Sequence, residues 1–312
     1  MTEVKLFTGQ NSRQLADKIA DFYGQPLGKM SLTRFSDGEM SINIEESVRG
    51  AYVFLIQSTF APSDNLMELL MAIDAAKRAS AGYITAVIPY YGYARQDRKD
   101  KPRVAITAKL VATLLEAAGI DRIMTMDFHA DQLQGFFDIP VDHLRGEVIF
   151  IEHLKENNYP MDNVIFASPD VGGVKRARLY AKHFERPLVI CDKYRKKANE
   201  IESMTVIGDV DGADVILVDD LADTAGTLCR AAEVLVENGA KSVRAMCTHA
   251  VLSGKAYENI NNSKLNELIV TDTIPLRGVS PKIKVLSAAK LFARAIRNTH
   301  EHRSISALFI GE

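Results

Sequence analysis

Short apolar runs of strand length alternate along this chain with segments whose apolar residues recur three and four positions apart. Residues 53–57 form one such run. Asp64 then stands where an acidic residue favours a helix start, and 66–73 repeat at helical spacing. A strand is expected at 84–89, a helix over 106–118 closed by Gly119, and a strand over 122–127. This βαβ rhythm predicts a mainly parallel sheet flanked by helices. It restarts with a strand at 164–168, a loop and helix over 172–184, and a strand at 188–191. A strand from Val215 leads through a helix to another at 243–248, then to a late helix at 287–297 and a last strand at 305–310. The expected fold class is therefore α/β, with two domains of similar element order. The boundary is placed near Asp142–Gly146, giving domains 1–145 and 146–300, with 301–312 as a closing strand that returns to the first.

Composition narrows the function classes. A chain of 312 residues has room for two domains of ordinary size. Its 38 basic and 40 acidic side chains leave a net charge of −2, so no global field attracts nucleic acid. No apolar run reaches membrane-spanning length, and the first residues lack the basic and apolar regions of a signal peptide. A cytoplasmic protein with no membrane partner is expected. Cys191, Cys229 and Cys247 are odd in number and widely spaced, which predicts reduced thiols rather than a zinc or disulfide framework.

The most informative stretch is Val-Ile-Leu-Val-Asp-Asp-Leu-Ala-Asp-Thr-Ala-Gly-Thr at 215–227, followed by a helical pattern. It predicts a strand, a tight loop and a helix N-terminus. Backbone N–H groups at such a turn have no intrahelical partner and suit a phosphate. Thr224 and Thr227 can add hydroxyl donors around Ala225 and Gly226. The carboxylates of Asp219 and Asp220, just before the loop, would repel a phosphate, so they suit sugar hydroxyls or a metal above the sugar. The stretch reads as a cradle for a sugar phosphate, or, more simply, as an acidic strand end beside a capped helix.

Other polar clusters also follow expected strands. His129, in Asp-Phe-His-Ala, and Asp170, in Ser-Pro-Asp-Val-Gly-Gly, can share a divalent cation that keeps waters and takes phosphate oxygens. Residues 90–99, Tyr-Tyr-Gly-Tyr-Ala-Arg-Gln-Asp-Arg-Lys, combine flat aromatic surface with fork-shaped donors, which suits a nucleotide or a solvated basic loop. Arg34–Glu39 reads as an Asp-Gly hairpin turn. The cations of Lys193-Tyr194-Arg195-Lys196-Lys197, just past a strand, form either a solvated face or a flap that closes over phosphates. P-loop and protein-kinase signatures are missing.

The 215–227 stretch resembles the ribose-phosphate motif of the type I phosphoribosyltransferase fold. With Asp-Phe-His-Ala-Asp-Gln-Leu-Gln-Gly-Phe-Phe-Asp-Ile-Pro at 127–140, residues 90–99 and the lysine-rich run, the chain resembles the ribose-phosphate pyrophosphokinases over nearly its whole length. The resemblance implies two phosphoribosyltransferase-type domains. It also implies magnesium-dependent transfer of the β,γ-diphosphoryl group of ATP to the 1-hydroxyl of ribose 5-phosphate. Carried over, Lys193 and Arg195 are catalytic, and His129 and Asp170 hold Mg²⁺. Phe35, Asp37, Gly38, Glu39, Arg95 and Gln96 bind ATP. Arg195, Asp219, Asp220, Asp223, Thr224, Ala225, Gly226 and Thr227 bind ribose 5-phosphate. The resemblance further implies a homohexamer with active sites shared between subunits, inhibited by ADP and activated by phosphate, with Ser47, Arg49, Arg78 and Ser80 as effector residues. Tyr194 and Val104-Ala105 depart from the commoner family pattern. A phosphoribosyltransferase would use the same sugar-phosphate loop without needing 90–99. A non-catalytic regulatory homologue would have lost positions among His129, Asp170, Lys193, Arg195, Asp219 and Asp223, and all are present.

Overall fold

The computed structural model describes residues 2–194 and 203–309. The chain divides into two compact units. The first comprises Met1–Gly146, Thr273–Pro275 and Ser287–Glu312, and the second Glu147–Asp272 and Leu276–Leu286.

In the first unit, five parallel strands stand in the order Val4–Thr8, Tyr52–Ile56, Tyr83–Ile88, Arg122–Met126 and Val141–Leu144. Val53, Phe54, Leu55 and Ile56 are all buried, so this strand is apolar on both faces, as a helix-covered parallel strand must be. The apolar faces of Asp64–Arg78 and Thr107–Ala118 pack into the same core. Gly119 closes the latter at φ +115°, a left-handed turn that glycine adopts without a Cβ penalty. A separate hairpin pairs Met30–Arg34 with Met40–Ile44.

The second unit holds seven strands in the order Ser203–Ile207, Leu188–Tyr194, Val164–Ser168, Asp214–Ala222, Ser242–Ala250, Glu267–Thr271 and Ile283–Leu286. All neighbours run parallel except Ser203–Ile207 against Leu188–Tyr194. Helices Glu147–Glu156, Val174–His183, Gly226–Glu237 and Ala256–Asn262 belong to this unit. Cys191, Cys229 and Cys247 are buried free thiols, and burial pushes Cys191 up to about 12.

Four expectations need correction. The strand at 188–191 continues through Tyr194, because Ser203–Ile207 supplies an antiparallel partner in which Met204 faces Lys193. The strand from Val215 likewise runs on to Ala222, so Asp219 and Asp220 lie within the sheet, opposite Cys247 and its neighbours, rather than beyond it. The late helix, Ala289–His300, belongs to the first unit and packs on Arg13–Tyr23. The Arg297 guanidinium donates to the Tyr23 carbonyl and lies 5.2 Å from that ring's centroid. Within the strand expected at 305–310, Ser306–Leu308 form a short 3₁₀ turn, and Ile310 lies outside the described residues. There the Leu308 N–H bonds the Ile305 carbonyl at 2.9 Å, so the backbone pairs locally, and only Leu308 is buried. No helix among the described residues is long and apolar enough to cross a membrane.

Candidate active site

Three strand ends in the second unit bring their polar residues together. Asp170 lies two residues past Val164–Ser168. Its Oδ1 accepts the Gly173 N–H at 2.9 Å, and its Oδ2 pairs with the Lys193 ammonium. The Ser168 hydroxyl donates to the Asp170 carbonyl at 2.6 Å and fixes the turn. Burial alone would raise the Asp170 carboxyl. The Lys193 ammonium and the Gly173 N–H outweigh it and hold the group below the usual carboxylate range.

Asp219 and Asp220 divide their environments. Arg176, from helix Val174–His183, donates to Asp220 Oδ1 at 3.1 Å, and the Asp220 side chain is only 8% exposed. Asp219 Oδ1 accepts the Asp220 N–H at 2.9 Å. Burial, and then the adjacent Asp220 carboxylate, push the Asp219 carboxyl well above its ordinary value. Arg176 was not among the residues read from sequence. It stands in a pair of adjacent bases, Lys175-Arg176, and only the packing shows which one meets Asp220.

The loop between Asp214–Ala222 and Gly226–Glu237 is three residues long, Asp223-Thr224-Ala225. Ala225 sits at φ +58°, in the left-handed region that costs a non-glycine residue on the order of 1 kcal/mol or more. Such a residue turns successive N–H groups toward one side and makes an anion-binding concavity. The helix that follows has no side-chain cap at its N-terminus. The loop is fastened from outside: the Ser253 hydroxyl bonds Asp223 Oδ1, the Ser253 N–H reaches the Asp223 carbonyl at 3.0 Å, and Asn259 Nδ2 reaches the Thr224 carbonyl at 2.9 Å. Ser253 and Asn259 are more than two dozen residues away in sequence and carry no local signal.

The expected nucleotide residues all belong to the first unit. Phe35 crowns the Met30–Arg34/Met40–Ile44 hairpin and is 54% exposed. The turn closes through Phe35 N–H to the Glu39 carbonyl at 2.8 Å and Glu39 N–H to Asp37 Oδ1 at 3.0 Å, with Gly38 at φ +96°. Arg95 and Gln96 are exposed in the loop after Tyr83–Ile88. The Thr107 hydroxyl donates to Gln96 Oε1 at 2.5 Å, and the Ala108 N–H to the Gln96 carbonyl at 3.2 Å. His129 is exposed just past Arg122–Met126 in the first unit, whereas Asp170 belongs to the second. Among the described residues no three His, Cys, Asp or Glu side chains gather to hold a metal.

The two expected effector stretches do meet. Arg49 bridges Ala81, and the Gly50 N–H bonds the Ser80 carbonyl at 2.8 Å, which sets Ser47–Arg49 beside Arg78–Ser80. Arg78 Nε also donates to Asp74 at 2.7 Å. Arg195 lies outside the described residues.

Residues 4–119 match the family model of the N-terminal domain of ribose phosphate pyrophosphokinase, and residues 185–310 match the phosphoribosyl synthetase-associated domain. The chain is 58% identical over 304 residues to a ribose-phosphate pyrophosphokinase of Porphyromonas gingivalis, with 97% of each chain covered. It is 57% identical over 311 residues to one of Campylobacter jejuni, covering 99% of this chain and all of that one. The chain belongs to the ribose-phosphate pyrophosphokinase family. A crystal structure of phosphoribosylpyrophosphate synthetase from Mycobacterium smegmatis has the same fold, with TM-score 0.91 and 41% identity over 96% of this chain. The two-unit α/β architecture is thus that of a ribose-phosphate pyrophosphokinase.

Proposed function

We propose that the cluster Asp170, Arg176, Lys193, Asp219 and Asp220, with the Asp223–Thr227 loop, is the ribose 5-phosphate and phosphoryl-transfer half of a ribose-phosphate pyrophosphokinase site. The observation that carries this is the left-handed Ala225 at an uncapped helix N-terminus, directly after a strand bearing two carboxylates. Backbone N–H groups and the Thr224 and Thr227 hydroxyls hold the 5-phosphate. Asp220, oriented by Arg176, and Asp223, oriented by Ser253, accept the sugar hydroxyls. The reaction is magnesium-dependent: the 1-hydroxyl of ribose 5-phosphate attacks the β-phosphorus of ATP in line. The new C1–O–P bond forms as the bond from the β-phosphorus to the α,β-bridging oxygen breaks. AMP departs with that oxygen, and the hydroxyl proton is released.

By donor chemistry His129 and Asp170 would each offer magnesium one ligand, a ring nitrogen and a carboxylate oxygen, and the ion would keep waters and take phosphate oxygens. When bound, the ion neutralises phosphate charge. The chain's own contribution is positional and electrostatic. Lys193 supplies the cation that meets charge growing on the transferring group, and Arg195 is assigned the same task. Phe35, Asp37, Gly38, Glu39, Arg95 and Gln96 bind ATP. An exposed Phe35 at a hairpin tip fits an adenine stack completed by a neighbouring subunit, and with it a homohexamer. The adjoining Ser47–Arg49 and Arg78–Ser80 stretches fit an effector site for ADP and phosphate. A cytoplasmic setting agrees with three buried free thiols.

Phosphorus NMR of a reaction with magnesium, ATP and ribose 5-phosphate tests the reading. The expected products are AMP and 5-phosphoribosyl 1-diphosphate. ADP with ribose 1,5-bisphosphate would reject diphosphoryl transfer, and base-dependent consumption of the diphosphate without ATP turnover would favour a transferase.

The ATP loop carries its own test. A Cβ at Gly92 would stand 2.0 Å from the Thr59 carbonyl oxygen, and the Gly92 N–H already bonds Thr59 Oγ1 at 2.8 Å. Gly92→Ala must therefore move backbone and cost about 1–3 kcal/mol. Thermal melting is expected to fall, and KM for ATP to rise more than KM for ribose 5-phosphate. Equal changes in both would detach this loop from ATP.

A further inference from the structure

We propose that His143 is a positioning residue for His129: its Nε2 accepts the Phe128 N–H and holds the turn that presents the next side chain. The inference rests on the assignment of His129 as a metal ligand and adds the group that sets its place.

The parallel ladder between Arg122–Met126 and Val141–Leu144 ends with Thr125 beside His143 and Met126 beside Leu144. The chain then turns sharply, because Asp127 stands at φ +38°, a conformation rare for a residue with a Cβ. The Asp127 N–H still reaches the Leu144 carbonyl at 3.1 Å. The Phe128 N–H, carried off the ladder by that turn, is taken by the imidazole instead: His143 Nε2 accepts it at 2.8 Å. The Asp127 carboxylate closes the turn from the other strand, accepting the Gly146 N–H at 3.2 Å.

Both Phe128 and His143 are buried, so an amide left there without an acceptor would be costly. The Phe128 ring is held between two rings, 4.9 Å from that of His143 and 5.3 Å from that of Tyr91. His129, one residue on, is exposed. Its backbone is therefore set by a buried, doubly fastened neighbour, and its imidazole starts from a fixed point. Accepting at Nε2 places the ring proton on Nδ1, which stands 3.9 Å from Asp131 Oδ1, beyond hydrogen-bond reach, while Arg145 pairs with that oxygen at 2.8 Å.

Metal affinity gives a readout independent of turnover. Binding of Mn²⁺ is measured by electron paramagnetic resonance with ATP present and ribose 5-phosphate absent, beside thermal melting of each variant. His129→Ala calibrates the loss of a direct ligand. His143→Phe, which fills the space without an acceptor, is expected to weaken Mn²⁺ binding by roughly 10–100-fold, the range for removing a group that orients a metal ligand. His143→Gln, whose Oε1 can take the same N–H, is expected to recover most of that affinity. KM for ribose 5-phosphate should stay unchanged in both. His143→Met replaces the Phe variant if that one does not fold. Wild-type Mn²⁺ affinity in a folded variant without an acceptor, when His129→Ala has lost it, overturns the positioning role. A Gln variant as weak as the Phe variant also overturns it, because packing would then be the cause. Wild-type affinity in His129→Ala would remove the metal assignment itself and this inference with it.

Discussion

Lys193→Ala is expected to lower kcat by roughly 10² or more, about 2.7 kcal/mol of lost transition-state stabilisation, while KM for ribose 5-phosphate stays close to the wild-type value. The ammonium stands at the end of a paired strand, against Asp170. It is therefore delivered by the sheet and needs little ordering before it can act. A contact that strengthens only as charge develops lowers kcat without raising KM. Because Lys193 and Asp170 share one ion pair, their single substitutions will not add. Asp170→Asn in the Lys193→Ala background should cost clearly less than in the wild type. Steady-state kinetics of the four proteins check both statements. Wild-type turnover in Lys193→Ala removes the residue from the mechanism, and strict additivity removes the coupling.

The same pair predicts a pH dependence. The Asp170 carboxyl is held below its ordinary range by Lys193 and Gly173. A depressed carboxyl stabilises the fold above its unfolded value, near 3.9, and that stability is lost as pH falls through the lower folded value. Lys193→Ala should therefore lose stability relative to wild type at neutral pH, with the difference closing in acid. Urea melts at neutral pH and near pH 3 would show it.

How much of this was legible in the sequence depended on how local each signal was. The strand, short turn and helix over 214–237 were readable because an apolar run, two carboxylates, a short polar turn and a helical pattern follow one another within a few residues. The position of Lys193 was readable only in part. Residues 188–191 show the apolar run, but the strand reaches Tyr194 because Ser203–Ile207 pairs with it, and that partner lies beyond the lysine-rich stretch. The late helix was recognisable as a helix from its spacing. Its membership of the first unit was not, because that is decided by its packing on Arg13–Tyr23, hundreds of residues away. Residues 305–309 look like a strand by composition, yet burial falls on Leu308 alone and the backbone closes on itself. His143 falls in the 142–146 stretch that the sequence marks only as the boundary between domains. Its role emerges only when the neighbouring strand turns at Asp127 and leaves an amide needing an acceptor.

Arg176→Met is expected to be the most damaging single change outside the reacting groups. Breaking a buried ion pair by removing one member typically costs about 3–5 kcal/mol, because the other charge remains without compensation. Asp220 is nearly closed to solvent, and its neighbour Asp219 is already driven toward the protonated form by burial and by the Asp220 carboxylate. Arg176 is the cation that opposes this tendency, so its loss should push the Asp219–Asp220 pair further toward holding a proton. The sign of the pH effect follows. A carboxyl raised above its unfolded value is accommodated below that value, and the stability is lost as pH rises through the raised folded value. The variant should therefore lie closer to wild type in mild acid than at pH 8, the same direction as the Lys193→Ala gap but at higher pH, since Asp219 is raised where Asp170 is lowered. Where it remains folded, KM for ribose 5-phosphate should rise, because the Asp220 carboxylate no longer has a guanidinium to fix its direction. Arg176→Lys should restore part of the stability but less of the KM, since a point charge replaces the fork that holds Asp220 in place. Denaturant melts across this pH range, with kinetics on the folded variants, are the measurements. A Met variant as stable as wild type at pH 8, with an unaltered KM, would show that Asp220 is oriented by something other than Arg176.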